Sequence, residues 1–263
     1  MKRDVTVLYF SPTGTTGTIV RTIAAGISGD TYSRIDITSS KAREKQYNFQ
    51  QLDLVIIGMP VYAGRLPETV IPFFKKINAD SSLAVPVVVY GNRDYDDALL
   101  ELSDILLEAG FNITAAGAFI GEHSYSRDDA PIATGRPDLD DLSKAGAFGK
   151  SIAGKLDNNG KDRIDIDDIP GNRPYKDRMQ FPPVDIPVDN DLCTACNICA
   201  EACPVDAIDR VVYSQDPEKC IICCACIKQC PENARWLQSK EILAVTERLS
   251  EKCADRKEPE FFL

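Results

Sequence analysis

The sequence predicts an α/β fold, a doubly wound domain on a five-stranded parallel sheet, followed by a small α+β unit dense in cysteine. Three observations predict it. Short, nearly continuous apolar runs alternate with segments whose apolar residues recur at helical spacing, as expected for strands buried on both faces and the helices that cover them. Loops of small, hydroxylic and aromatic residues follow the first, third and fourth runs, at the sheet edge where such folds bind ligands. Nine cysteines then crowd between Cys193 and Cys230, eight of them in two copies of one pattern.

Taken in order, Val5 to Phe10 is the first strand, and Ile19, Val20, Ile23, Ala24 and Ile27 mark the helix after it. A second strand is predicted at Tyr32 to Ile37 and a third at Leu52 to Gly58, whose unbroken apolar character suits a central position. Val70 to Ile77 reads as helix, Ala84 to Tyr90 as the fourth strand, and Ala98 to Ala109 as a helix with Leu99, Leu102, Leu106 and Leu107 at its apolar positions. Phe111 to Ile120 closes the sheet as the fifth strand, and Asp138 to Leu156 is its last helix. Residues 1–157 make this domain.

Residues 158–187 are polar and proline-containing, and Pro182, Pro183 and Pro187 favour an extended, semi-rigid path. These 30 residues exceed what two adjacent domains need, so the connection is expected to wrap one domain and set the docking of the other. Asp157-Asn158-Asn159-Gly160 has the composition of a calcium loop, but placing Gly160 at the sixth position puts Lys155 at the first ligand position. No calcium is predicted there. Residues 188–263 hold the cysteine unit and a terminal helix, Glu241 to Glu251, with Ile242, Val245 and Leu249 at helical spacing. The final Phe261-Phe262-Leu263 is apolar enough to dock.

Length and charge narrow the function. With 263 residues and 44% hydrophobic composition, the chain easily supports an independent core in its larger part. A net charge of −10 argues against nucleic acid and anionic membrane surfaces as partners. Two basic residues, Lys2 and Arg3, precede the first apolar run, but that run is six residues long and ends in a polar loop, unlike a signal peptide. No run approaches the ~20 apolar residues of a spanning helix. A cytoplasmic location in a reducing, anaerobic cell is expected.

The run Cys193, Cys196, Cys199, Cys203, Pro204 returns as Cys220, Cys223, Cys226, Cys230, Pro231, an offset of 27 at every position. Three thiols at intervals of three ring a tight loop, as a cubane iron–sulfur cluster requires; the fourth must come from elsewhere. A structural zinc site would use two well-separated Cys-x2-Cys pairs, whereas here four cysteines fall within eleven residues, twice. Disulfides suit short secreted chains instead. The stretch resembles bacterial-type 2[4Fe-4S] ferredoxins. In that family the fourth thiol comes from the other half, which implies one cluster on Cys193, Cys196, Cys199 and Cys230 and another on Cys220, Cys223, Cys226 and Cys203. Cys224 and Cys253 are left over and read as small buried apolar side chains.

Ser11-Pro12-Thr13-Gly14-Thr15-Thr16, between the first strand and its helix, is a nest of hydroxyls and backbone N–H groups suited to a phosphate. It lacks the Gly-Lys-Ser/Thr of a Walker loop and resembles the phosphate loop of flavodoxins. After the third and fourth strands come Pro60-Val61-Tyr62-Ala63-Gly64 and Gly91-Asn92-Arg93-Asp94-Tyr95, each with a tyrosine among small residues. The resemblance implies FMN in a sheet of strand order 2-1-3-4-5. It also implies that Tyr62 and Tyr95 stack on the ring, while Asn92 and the backbone of 60–64 meet its polar edge. The lone histidine, His123, lies in a long loop after the fifth strand that is expected to cover the ring or touch the cysteine unit, and is the candidate proton donor.

As a whole the sequence resembles flavodoxin/ferredoxin fusion proteins of anaerobes, which implies an electron-transfer protein joining FMN, two [4Fe-4S] clusters and external redox proteins. The alternative is an FMN-dependent reductase of a small substrate with the clusters as an internal wire. No nicotinamide fingerprint such as Gly-x-Gly-x-x-Gly occurs. A homodimer is compatible with the long connection, which could equally set the cysteine unit against a second subunit.

Overall fold

The computed structural model describes residues 4–51, 53–157 and 163–263. The chain opens with β1 (Val5–Tyr9), α1 (Thr15–Ser28) and β2 (Ser33–Asp36). A short β3 (Tyr47–Phe49) precedes β4 (Leu54–Pro60), the most enclosed early strand, whose first six residues are buried. The predicted helix at 70–77 is reduced to α2 (Ile71–Phe74). The chain then extends into β5 (Ile77–Ala79), which pairs with β3 outside the main sheet. Pro72 at its second position starts this helix, and the burial of Ile77 and Ala79 beside β3 ends it. β6 (Leu83–Tyr90) is buried throughout, and α3 (Ala98–Glu108) follows.

The fifth predicted strand is divided into β7 (Asn112–Ile113) and β8 (Ala116–Ile120), both paired with β6, and α4 (Leu139–Asp157) completes the domain. In the main sheet the order is β2-β1-β4-β6-β8, parallel throughout, which is the predicted 2-1-3-4-5 arrangement. One apolar layer, built on α1 and α4, packs Ile19, Ile23, Phe148 and Ile152 against one face. The other packs Phe73, Leu99, Leu102 and Leu106 against the opposite face.

Residues 164–178 run from β7 along α3, and Val184 and Ile186 pack into the cysteine unit. Ile164 donates to the Ile113 carbonyl (2.9 Å), Arg173 forks onto Asp104, and Asn172 and Lys176 donate backbone N–H groups to Asp97. Buried Glu101 gathers Arg65, Arg178 and the Leu66 N–H. The connection therefore wraps the first domain, as its length suggests. Its opening residues 158–162, including most of the calcium-like stretch, lie outside the described residues.

The cysteine unit contains α5 (Ile198–Glu201) and α6 (Ala225–Lys228), followed by α7 (Lys240–Lys252), capped by the Ser239 hydroxyl. The chain then returns to the first domain. A final strand, β9 (Glu260–Phe262), pairs antiparallel with β8 and lengthens the sheet. Phe261 stacks on Phe148 with ring centroids 4.7 Å apart. Among the described residues no helix is long and apolar enough to cross a membrane.

Candidate functional site

The 27-residue repeat is repeated in the backbone. Ala195, Asn197 and Asp206 have φ near 55°, 64° and 51°, and their counterparts Ile222, Cys224 and Asn233 have φ of 53°, 57° and 51°. The four-residue helices α5 and α6 stand at the same offset. Two bridges close the unit, Val188 with Arg235 and Ile208 with Gln215, and each residue is related to one in the other bridge by 27 positions. The Cys203 sulfur accepts from the Ala207 N–H (3.2 Å), and the Cys230 sulfur from the Ala234 N–H (3.3 Å), again one repeat apart. The unit is a two-fold structure made from one motif.

Its two halves create two cavities. Cys193, Cys196, Cys199 and Cys230 line one, and Cys203, Cys220, Cys223 and Cys226 line the other. These are the two sets, crossed between halves, that the ferredoxin resemblance implies. The thiols ring open space rather than meeting at a point, as a cubane with one iron per thiolate needs. Burial pushes the Cys223 thiol up to about 12, so loading iron releases a proton there. Cys224 is also buried at the second cavity, with its Sγ 3.7 Å from the Ile222 carbonyl, at the left-handed position that Asn197 fills in the first half. Cys253 ends α7 half-buried, with its carbonyl held by Asn92.

A third cavity, a cleft of about 310 Å³, opens at the carboxyl ends of β4, β6 and β8. Both loops expected there contribute: Val61, Tyr62, Ala63 and Gly64 from one, Gly91 and Arg93 from the other. His123 lines it too. Its ring lies so close to Gly91 that a Cβ on that glycine would stand 2.3 Å from Cδ2. The Tyr125 N–H donates to His123 Nδ1 (3.1 Å), which leaves the proton of the neutral ring on Nε2. Burial, with help from Arg93 and Lys228, lowers this histidine to about 4.

Three residues expected at the ring do not line the cleft. Tyr95 is buried beneath Tyr90, and its O–H donates to Glu260 (2.7 Å), so it does not line the cleft. Asn92 spends its amide on the C-terminal segment, donating to the Cys253 and Asp255 carbonyls and accepting from the Lys257 N–H. Both are occupied by the returning chain, whose docking no local pattern around residues 91–95 announces. Pro60 ends β4 and is not in the cleft lining. Sequence reasoning missed the opposite wall: Tyr90, Arg178 to Phe181 of the connection, Ile221 and Ile222 of the cysteine unit, and Val245, Arg248 and Leu249 of α7. The excess length of the connection was their only signal.

Ser11 and Thr13 to Thr16 of the phosphate loop do not line this cleft; the loop meets the chain just after β8. A Cβ on Gly121 would lie 3.0 Å from Thr15, and His123 follows two residues later. Gly14 takes a left-handed φ of 89° to turn into α1, and the Ser11 hydroxyl accepts from the Gly17 N–H (3.0 Å). The Thr16 hydroxyl is buried with no hydrogen-bond partner. A phosphate would supply the missing acceptor, and a flat aromatic ring fits a cleft walled by Tyr62, Tyr90, His123 and Tyr125. The residues present therefore fit FMN.

The cleft and the second cluster cavity share a wall. Ile221 lines both, and Ile222 stands in the cleft beside it. Tyr62 and Tyr125 lie on the same side: burial raises both phenols first, and the neighbouring Cys220, Cys223 and Cys224 add to it. Across the remaining interface Gln229 donates to the Pro12 carbonyl of the phosphate loop (2.7 Å), and Lys228 pairs with Glu122 (2.6 Å) and donates to the Ser126 carbonyl (2.7 Å). Arg43 donates to the Pro204 carbonyl.

Comparison with known proteins assigns domain types to the two parts of the chain. The family model described as a flavodoxin domain matches residues 6–127, and that of a 4Fe-4S binding domain matches residues 186–209 and 213–236. An uncharacterized ferredoxin of Methanocaldococcus jannaschii is 36% identical over 63 residues, 21% of this chain. The chain spans 40% of the length of that curated relative. Among solved structures, a flavodoxin from the domain Archaea aligns with 59% of this chain and 99% of its own at 15% identity and a TM-score of 0.38. A rubredoxin:oxygen oxidoreductase from Desulfovibrio gigas aligns with 60% of this chain and 37% of its own at 16% identity and a TM-score of 0.43. The flavodoxin domain implies FMN, and the two 4Fe-4S motifs imply two clusters. Residues 6–127 are thus a flavodoxin domain, and residues 186–209 and 213–236 a pair of 4Fe-4S binding repeats.

Proposed function

We propose that the chain passes electrons between FMN in the interdomain cleft, its two clusters and external redox proteins. When bound, FMN exchanges electrons singly or in pairs and each cluster exchanges one at a time. The observation that carries this reading is the wall shared by the cleft and the Cys203/Cys220/Cys223/Cys226 cavity. Ile221, Ile222, Tyr62 and Tyr125 fill it with side chains and keep water out, which supports transfer within one chain. N–H donors to the sulfurs of Cys203, Cys220 and Cys230 stabilise negative charge on those ligands, and so raise the potentials of the clusters they hold.

The test is an anaerobic redox titration followed by optical and EPR spectroscopy. It is expected to count one flavin and two clusters that equilibrate with each other. A flavin whose reduction never alters the cluster signals would refute the relay. A second reading, an FMN-dependent reductase of a small substrate, is favoured by one feature, the Nε2–H of His123 lining the cleft. Rapid multiple turnover of a small molecule by the reduced protein would establish it.

A further inference from the structure

The two cluster cavities have the same backbone and different surroundings. The Cys203/Cys220/Cys223/Cys226 cavity backs onto the FMN cleft. The Cys193/Cys196/Cys199/Cys230 cavity is lined only by residues 188–235, and Cys196 is exposed. Around it stand Leu192, Ile198, Val211, Val212 and Trp236, exposed by 51%, 37%, 81%, 64% and 44%. Each is within two residues of one lining the cavity. The turn that presents the valines is built. The Asp209 carboxylate accepts from the N–H groups of Val211 (2.7 Å) and Val212 (2.9 Å), and the Tyr213 O–H donates to Ala195 in the first cysteine loop (3.2 Å).

The internal symmetry shows that the fold does not demand this apolar rim. Twenty-seven residues away, Leu192 and Ile198 correspond to Lys219 and Ala225, Trp236 to Asp209, and Val211 and Val212 to Gln238 and Ser239. The same turns are thus made with polar or small residues at the other cavity. Exposed apolar clusters of this kind mark interaction sites. Exposed carboxylates of Asp191, Glu201, Asp209 and Glu232 lie in the same segments, against the cations of Arg210 and Lys219. An apolar centre with an acidic margin complements a basic partner.

We propose that this rim is the docking face through which an external one-electron redox protein, with an apolar contact set in a ring of lysines and arginines, exchanges electrons with the chain. Each encounter moves one electron. The partner's centre gains what the nearer cluster loses, or the reverse, with no bond made or broken. The proposal rests on the electron-transfer reading.

Its test measures binding of cytochrome c, a basic haem protein, to the anaerobically reconstituted full chain by calorimetry, with both proteins oxidised so that no electron moves. Iron content and visible absorbance confirm that each variant is loaded. Binding is expected at low salt and should weaken as salt rises. D191K, E201K and E232K together should raise Kd by at least about tenfold, and V211S with V212S by about threefold at an unchanged salt slope. D30K, D36K and E108K, on exposed parts of the flavodoxin domain, should leave Kd within about twofold. No binding at low salt, or equal losses from both sets of reversals, would overturn the proposal. So would sedimentation showing a dimer of the chain that the rim variants dissolve, because a second copy would then cover this face. A negative redox titration instead removes the relay and leaves the binding result standing.

Discussion

Two ways of making an interior meet in this chain. The flavodoxin sheet is covered on both faces by apolar layers, with Phe73, Leu99 and Leu106 on one side and Ile19, Ile23 and Phe148 on the other. The apolar cluster of the ferredoxin unit is small: among the described residues it joins Cys199 and Cys226 of the two cavities, Ala200, Ile208, Ile222 and Ile242, with Val184 and Ile186 supplied by the connection. One region is held chiefly by hydrophobic burial. The other depends on what its thiols hold, as small metal-bound domains do.

Removing iron is therefore the most severe way to break the pair apart. Chelation under anaerobic conditions is expected to abolish hydrogen-exchange protection across residues 188–237 while β4 and β6 keep theirs; equal loss in both would show that the two regions fold as one. Next in size is the buried pair of Arg136 and Asp141, with Nε 2.8 Å from Oδ2, whose arginine also holds the Lys257 carbonyl of the returning chain (2.8 Å). Asp141→Asn should cost about 3–5 kcal/mol in chemical denaturation of the flavodoxin domain, because it leaves a charged guanidinium buried without its counter-ion.

Acid separates the regions more gently. His123 is held neutral, at about 4 against its ordinary 6.5. The unfolded chain takes up a proton first, so this contribution is complete above about pH 6.5 and declines as pH falls towards 4, by at most about 3 kcal/mol. His123→Gln should flatten that part of the pH–stability curve without altering the iron content. The smallest effect is local. Gly91→Ala would push a methyl into the His123 ring, and is expected to weaken FMN binding about tenfold in a fluorescence titration, with about 1–2 kcal/mol lost in stability.

The five strands of the parallel sheet could be read from apolar runs such as Leu54 to Ile57, because strands buried on both faces leave no alternation to misread, while their order came only with the flavodoxin resemblance. The grouping of the cysteines was legible for a different reason: the repeat marks two sets of four, the ferredoxin resemblance implies the crossed fourth thiol, and each cavity is lined by one crossed set. Local pattern failed where distant segments decide. Tyr95 carries the same signal as Tyr62, a tyrosine among small residues after a strand. Glu260, 165 positions away, draws it out of the cleft. Ile221 and Ile222, between Cys220 and Cys223, carry no local signal of a cleft, and their place in its wall depends on docking set by the connection along α3 and by Lys228 and Gln229.

The return of β9 to the edge of β8 alters what kind of attachment the ferredoxin unit has. It does not hang from the end of a leash: it is spliced into the flavodoxin domain at two points, with α3 holding the strand of chain that enters it and β8 the strand that leaves. A body pinned twice has little freedom to swing. The gap between ring and metal is then a constant of the architecture, like the span between two piers, and dilution, viscosity or crowding should leave the internal hop untouched while still slowing every encounter at the outer rim.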